Sequence, residues 1–186
     1  MKRLFDIFFC ILAIVIFALP CFFISVLLKV TSKGPILYWS ERVGRKDLNF
    51  KMPKFRTMKT ETPAVATHLL EDPNDHYTFI GKFLRKASLD ELPQIYSVLM
   101  NEMSFVGPRP ALFNQYDLIE LRRKKGVYEL KPGITGWAQI NGRDDLSIKD
   151  KVGFDVEYLH NQSFRFDLRI IWLTLIRVIK KDGVSH

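Results

Sequence analysis

Two adjacent carboxylates, Asp90 and Glu91, lie between Arg85 and Lys86 on one side and Arg109 on the other. Acids set among fixed cations suit a metal ion and a phosphorylated substrate. A carboxylate can ligate Mg²⁺ or attack phosphorus, and arginine neutralises phosphate through paired hydrogen bonds. In that chemistry Asp90 is the candidate nucleophile, and Glu91 binds the metal or handles a proton. The same residues admit a plainer reading. Ser88-x-x-Glu91 matches a capping box, and Pro93 agrees with a helix that begins near Asp90. The two readings are compatible, because a helix N-terminus offers free N–H groups to a phosphate.

Other residues fit the same chemistry. Lys54, Arg56, Arg85, Arg109 and Arg143 all sit beside turn formers and could contact phosphate. Any one of them taken alone reads as a solvated surface charge. Arg109 stands apart, because Pro108 and Pro110 fix the backbone around it and lower the entropy cost of presenting it. Trp137 and Gln139 could offer a ring and an amide to a nucleobase, and the alternative for Trp137 is a core aromatic.

The elements that position these residues begin with a long apolar segment. The chain has 186 residues, 47% of them apolar, and residues 7–28 carry no charge. The formal charge of +8 suits anionic partners: nucleic acid, a phospholipid surface or a phosphorylated substrate. Nine Lys/Arg stand against two acids between Lys29 and Lys59. The two cysteines, Cys10 and Cys21, both fall inside the apolar run, which excludes a disulfide framework, and the four histidines lack zinc-ligand spacing.

A straight helix over residues 7–28 reaches about 33 Å, enough to span a bilayer core. Pro20 interrupts it, leaving halves of about 20 Å and 14 Å. Both flanks are basic, Lys2 and Arg3 before, Lys29 and Lys33 after, which a single span cannot reconcile with the positive-inside rule. A helix that enters and leaves one leaflet, broken at Pro20, satisfies both observations. A kinked span is the alternative. Near the other end, residues 167–181 place Asp167, Thr174, Arg177, Lys180 and Lys181 on one side of a helix. Leu168, Ile171, Trp172, Leu175, Ile176 and Ile179 lie on the other, the pattern of an interfacial helix or of a core-facing one.

Between these ends, residues 36–58 read as a small hairpin and 60–77 as a surface loop. Short helices are expected at 78–86 and 90–102, with further helices over 111–125, ending at Gly126, and over 147–160, starting at Ser147. Residues 131–145, dense in Gly and polar groups, read as a functional loop or short strand. The expectation is a helix-rich α/β chain in two parts: residues 1–30 as a re-entrant membrane helix, and 31–186 as a catalytic domain with interfacial helices and a short β-hairpin.

Several stretches resemble those of the bacterial sugar transferases, small monotopic phosphoglycosyl transferases. They are KRLFDI at 2–7, SKGPILY at 32–38, ERVG at 41–44, KFRTM at 54–58 and FLRKASLDELPQ at 83–94. MSFVGPRP at 103–110, KPGITGWAQINGR at 131–143 and DVEYL at 155–159 continue the series in the family's order. The resemblance implies transfer of a sugar-1-phosphate from a UDP-sugar to a polyprenol (undecaprenyl) phosphate, with release of UMP. It implies Mg²⁺ dependence, with Asp90 and Glu91 as catalytic and metal-binding dyad and Asp90 as covalent nucleophile. It implies a re-entrant helix broken at Pro20, although Leu19 stands where serine often precedes that proline. It further implies a minimal form beginning at that helix, a cytoplasmic face of the bacterial inner membrane, phospholipid contact and no nucleic-acid partner. A homodimer is compatible with it, and the sugar and pathway are left open.

Overall fold

A computed structural model describes residues 2–62, 72–142 and 145–180. The apolar segment forms one helix, α1 (Lys2–Thr31), long and apolar enough to cross a membrane. It is helical through Pro20, so the proline does not interrupt the secondary structure. Ser25 donates to Cys21 O at 2.7 Å and Thr31 to Leu27 O at 2.6 Å, both within the helix's own C-terminal half.

The ends of α1 are docked and its middle is bare. Phe5, Asp6, Cys10 and Leu28 are buried, whereas Ile11, Val15 and Leu19 are 58%, 74% and 64% exposed. At the N-terminal end the charges that read as membrane-flanking cations are bound to the rest of the protein. Lys2 Nζ donates to Asp167 Oδ2 (2.7 Å), Tyr158 Oη (2.9 Å) and Val106 O (3.1 Å). Arg3 donates to Val98 O and Leu99 O at 2.6 and 2.8 Å, and Asp6 accepts from Ser104 Oγ and the Phe105 amide. At the other end Leu28 joins Phe55 and Leu84 in a small apolar cluster.

Residues 36–58 form the expected hairpin, β1 (Leu37–Val43) paired antiparallel with β2 (Asn49–Phe55). After β2 come α2 (Gly81–Lys86), a 3₁₀ segment over Leu89–Gln94, α3 (Ile95–Leu99), and two short strands, β3 (Ser104–Val106) and β4 (Ala111–Leu112). β4 adds to the hairpin in the order β2-β1-β4, while β3 pairs in parallel with β5 (Gly133–Thr135). The expected helix over 111–125 is shorter. Its first residues are taken by β4, and α4 runs Tyr116–Lys124 before Gly126 turns the chain at φ +78°. The 131–145 stretch yields β5 and the single-turn α5 (Trp137–Ile140). Two longer helices close the fold, α6 (Ile148–Asn161), capped by Ser147 accepting from the Asp150 amide, and α7 (Phe164–Lys180). The expected loop at 60–77 lies partly outside the described residues, and its end, Pro73–His76, is a 3₁₀ turn.

In α7 the face that carries polar residues in sequence turns inward. Asp167 and Ile170 are buried, and Thr174 shares a 2.7 Å hydrogen bond with Thr135. Leu168, Trp172 and Leu175 on the opposite face are 38%, 65% and 51% exposed. Ile171 of that same face packs against the core, so the face is divided between core and surface. The main core lies under α6 and α7, built from Val106, Val127, Leu130, Ile140, Tyr158 and Ile170.

Candidate active site

Asp90 and Glu91 sit in the 3₁₀ segment, and it is not a capped α-helix start. Ser88 has φ 54° and makes no side-chain capping bond, which overturns the capping-box expectation. The physical reason is that the Glu91 carboxylate has stronger partners. Its Oε1 accepts from Lys54 Nζ at 2.8 Å and from Arg109 Nη2 at 3.1 Å. Two ion-paired bonds to cations outweigh a single reach back to a backbone amide. Pro93 lies inside the segment, where a short 3₁₀ turn tolerates its missing N–H.

Three long-range placements build the site. β2 ends with Lys54 pointing at the 3₁₀ segment. α2 carries Arg85, whose Nε donates to Thr57 Oγ1 at 2.9 Å and whose guanidinium lies 5.4 Å from the Tyr77 ring centroid. The Gly107–Pro110 segment brings Arg109, and it is held from three sides. Gly133 N donates to Pro108 O at 2.9 Å, Arg122 Nη1 to Arg109 O at 2.8 Å, and Arg42 Nη1 to Pro110 O at 3.2 Å. Gly107 and Gly133 pass backbone against backbone, and a Cβ on either would strike the other strand's main chain. Here the glycines are needed for close approach and not for an unusual φ.

The electrostatics separate the two acids. Glu91 is neutralised by two cations. Asp90 is 7% exposed, and its carboxylate makes no hydrogen bond among the described residues. Burial pushes its pKa above the ordinary carboxylate value, and the negative charge of Glu91 adds to that, while Lys54, Arg85 and Arg109 pull the other way. Burial likewise lowers the Lys54 ammonium, against the pull of Glu91. Arg42 is a fourth cation at this site that the motif reading passed over. Burial and the neighbouring Arg109 lower its pKa to about 10, so it stays charged at neutral pH. Its position in ERVG was visible in sequence, but nothing local distinguishes a strand arginine aimed inward from one aimed at solvent.

The remaining expected residues take different places. Arg56 is buried against Gly34, and its Nε and Nη1 have no hydrogen-bond partner among the described residues. Trp137 packs 5.0 Å from Phe166 and donates to Glu157 Oε2 at 2.7 Å, while Arg169 lies 5.7 Å from its ring centroid. Gln139 Nε2 reaches Ile134 O at 3.5 Å, with its Oε1 buried and unpaired. The contacts of Trp137 and Gln139 are with α6, α7 and β5, and none is with the dyad. Arg143 lies outside the described residues.

Among the described residues no group of three or more His, Cys, Asp or Glu is gathered for a metal ion. Two carboxylates are nonetheless the protein share that Mg²⁺ takes when substrate phosphates and water complete its shell. The Asp90 carboxylate, with no hydrogen bond among the described residues, fits that share, and Glu91 stands next to it with Oε1 held by Lys54 and Arg109.

The profile of the bacterial sugar transferase family matches residues 1–181. The chain belongs to that family. It is 37% identical over 191 residues to the uncharacterized sugar transferase EpsL of Bacillus subtilis, covering 100% of this chain and 91% of that protein. It is 38% identical over 202 residues to the UDP-galactose-lipid carrier transferase of Erwinia amylovora, covering 98% of this chain and 41% of that one. It is 43% identical over 167 residues to the UDP-glucose:undecaprenyl-phosphate glucose-1-phosphate transferase of Escherichia coli, covering 83% of this chain and 35% of that one. The last two are longer proteins, of which the chain spans about two-fifths and about a third.

Proposed function

We propose that this sugar transferase moves a sugar-1-phosphate from a UDP-sugar to a polyprenyl (undecaprenyl) phosphate and releases UMP, as a membrane step of glycoconjugate assembly. The observation that carries the reading is the contrast within the dyad, a buried Asp90 with no hydrogen bond among the described residues beside a Glu91 held by Lys54 and Arg109. An unpartnered carboxylate keeps its lone pairs for attack, and burial makes it a better nucleophile than a solvated one.

In the first half-reaction an Asp90 oxygen bonds to the sugar-bearing phosphorus, the bridging P–O bond breaks, and UMP leaves with the bridging oxygen. In the second, a phosphate oxygen of the lipid bonds to the same phosphorus and the Asp90–phosphorus bond breaks, giving the lipid diphosphosugar and restoring Asp90. Lys54, Arg42, Arg85 and Arg109 supply fixed positive charge around the transferring group, worth most in a site shielded from water. Mg²⁺ bound through Asp90 and Glu91 would neutralise diphosphate charge. Splitting the exchange in two lets two anionic substrates react without meeting.

The membrane reading has its own support. Both ends of α1 dock on the same folded body while its middle is exposed, which supports placing both ends on one side of a bilayer. That favours a re-entrant helix turning near Pro20 over a span, because a bend needs only the hydrogen bond that proline already lacks. The exposed Leu168, Trp172 and Leu175 of α7 and Phe79 and Phe83 around α2 suit an interfacial surface. Placement on the cytoplasmic face of the inner membrane follows from where UDP-sugars are made.

The test is to incubate purified protein with Mg²⁺, polyprenyl phosphate and a panel of UDP-sugars and identify the nucleotide released. UMP is expected; UDP would mean direct glycosyl transfer, and no nucleotide with any sugar would sink the reading. An intact-mass phosphosugar adduct, lost in Asp90→Asn, tests the covalent step.

A further inference from the structure

Around the turn between α1 and β1, buried donors have no hydrogen-bond partner among the described residues. Arg56 is 6% exposed, yet neither Nε nor Nη1 makes a hydrogen bond. Ser32 Oγ, two residues before Gly34, is also buried and unpaired. The guanidinium is seated against Gly34, at φ +105°. A Cβ there would collide with Arg56 Nη1 and come 2.7 Å from Thr60 Cγ2. Gly34 thus serves twice, for a left-handed backbone and for the space the guanidinium fills. The Arg56 amide donates to Ile36 O at 2.9 Å, which ties the end of β2 to this turn.

A buried guanidinium with two idle donors is costly unless an anion meets it. Arg85 and Arg109 are spoken for elsewhere. The surroundings say what kind of anion fits. Lys29, Lys33 and Lys59 are exposed on the same two segments, against the single acid Glu61. The last turns of α1 that lead into the site expose Val26, Leu27 and Val30. Donors for several oxygens at the foot of a bare apolar helix suit a phosphate carried on a hydrocarbon tail. We propose that Arg56 and Ser32 bind the phosphate headgroup of the incoming lipid acceptor, as a docking position from which the phosphate moves on to the Asp90-bound phosphorus, with the tail along α1. Thr57 links the two sites, since its hydroxyl accepts from Arg85, whose charge reaches Asp90. The proposal rests on the transfer reading for its acceptor, but its binding step does not depend on turnover.

The test is direct binding of polyprenyl phosphate to the full chain in detergent micelles, by titration calorimetry. Unphosphorylated polyprenol and inorganic phosphate serve as tail-only and head-only probes. Losing charge-assisted bonds in Arg56→Gln should weaken polyprenyl phosphate about tenfold or more and leave polyprenol binding unmoved. Arg56→Lys should recover part of the affinity, and Gly34→Ala should weaken it by displacing the guanidinium. Thermal midpoints should not fall in Arg56→Gln, because an unpaired buried charge is removed. Wild-type affinity in Arg56→Gln, or a lowered midpoint that explains the loss, overturns the proposal. Inorganic phosphate binding as tightly as polyprenyl phosphate assigns the site to a free phosphate and overturns the lipid assignment. UMP release measured in parallel keeps the two readings apart, because its absence in the wild type sinks the transferase reading whatever the binding result.

Discussion

Asp90 and Asp155 are both buried carboxylates whose pKa is raised by burial, and they behave oppositely. Asp155, 1% exposed, is closed. Its Oδ2 accepts from Arg122 Nε at 2.9 Å and Nη2 at 2.7 Å, and Arg122 spends its remaining reach on Arg109 O. One acid meets one cation in a two-point pair. Asp90 has more cations around it and a bond to none among the described residues. The difference teaches how one chemical group serves structure or chemistry. A saturated carboxylate positions a neighbouring segment, and an unsaturated one among surplus cations is ready for a ligand.

The largest expected effect falls on the open acid. Asp90→Asn should cut UMP release by about 10⁴-fold, the scale of losing a nucleophile, while leaving the unfolding midpoint unchanged or raised. A variant that is active, or that unfolds, would erase the contrast. The closed acid should give the converse. Asp155→Ala leaves Arg122 buried without its partner and should cost about 3–5 kcal/mol in denaturant unfolding, with slower transfer as Arg109 loosens. Next, Glu91→Gln keeps an oxygen for Lys54 and Arg109 but removes the charge, and should lower the rate about 10²-fold at unchanged fold.

The smallest effect is in pH dependence. Both acids have folded-state pKa values above the ordinary 3.8. The folded state holds those protons more tightly, so each stability contribution is present at low pH. It is lost as pH rises from about 4 through the folded-state value. Urea unfolding across pH 4 to 7 should therefore show a shallower decline in Asp90→Asn than in the wild type.

The fold was legible where its signals are local. The hairpin over 36–58, the cap at Ser147 and the turn at Gly126 all appear where side-chain pattern and turn chemistry put them. Local signals misled at Ser88, where a capping-box pattern lost to two cations from distant segments. They misled again at 111–112, which a neighbouring strand recruited into the sheet. Lys2 and Arg3 read as membrane-flanking charges and prove to be bonded to residues some 95 to 165 positions away.

The apolar segment, the dyad, the arginines beside it and the family are legible from the residues read in line, because composition, spacing and motif order are properties of the chain alone. Only the tertiary structure decided which acid is occupied and which is open. It also decided that Arg42 joins the site, that α7 leaves Leu168, Trp172 and Leu175 exposed, and that Arg56 lies buried with donors that have no partner among the described residues. Each of these depends on which distant groups meet and on what water is left to them, and neither is encoded in any one stretch of residues.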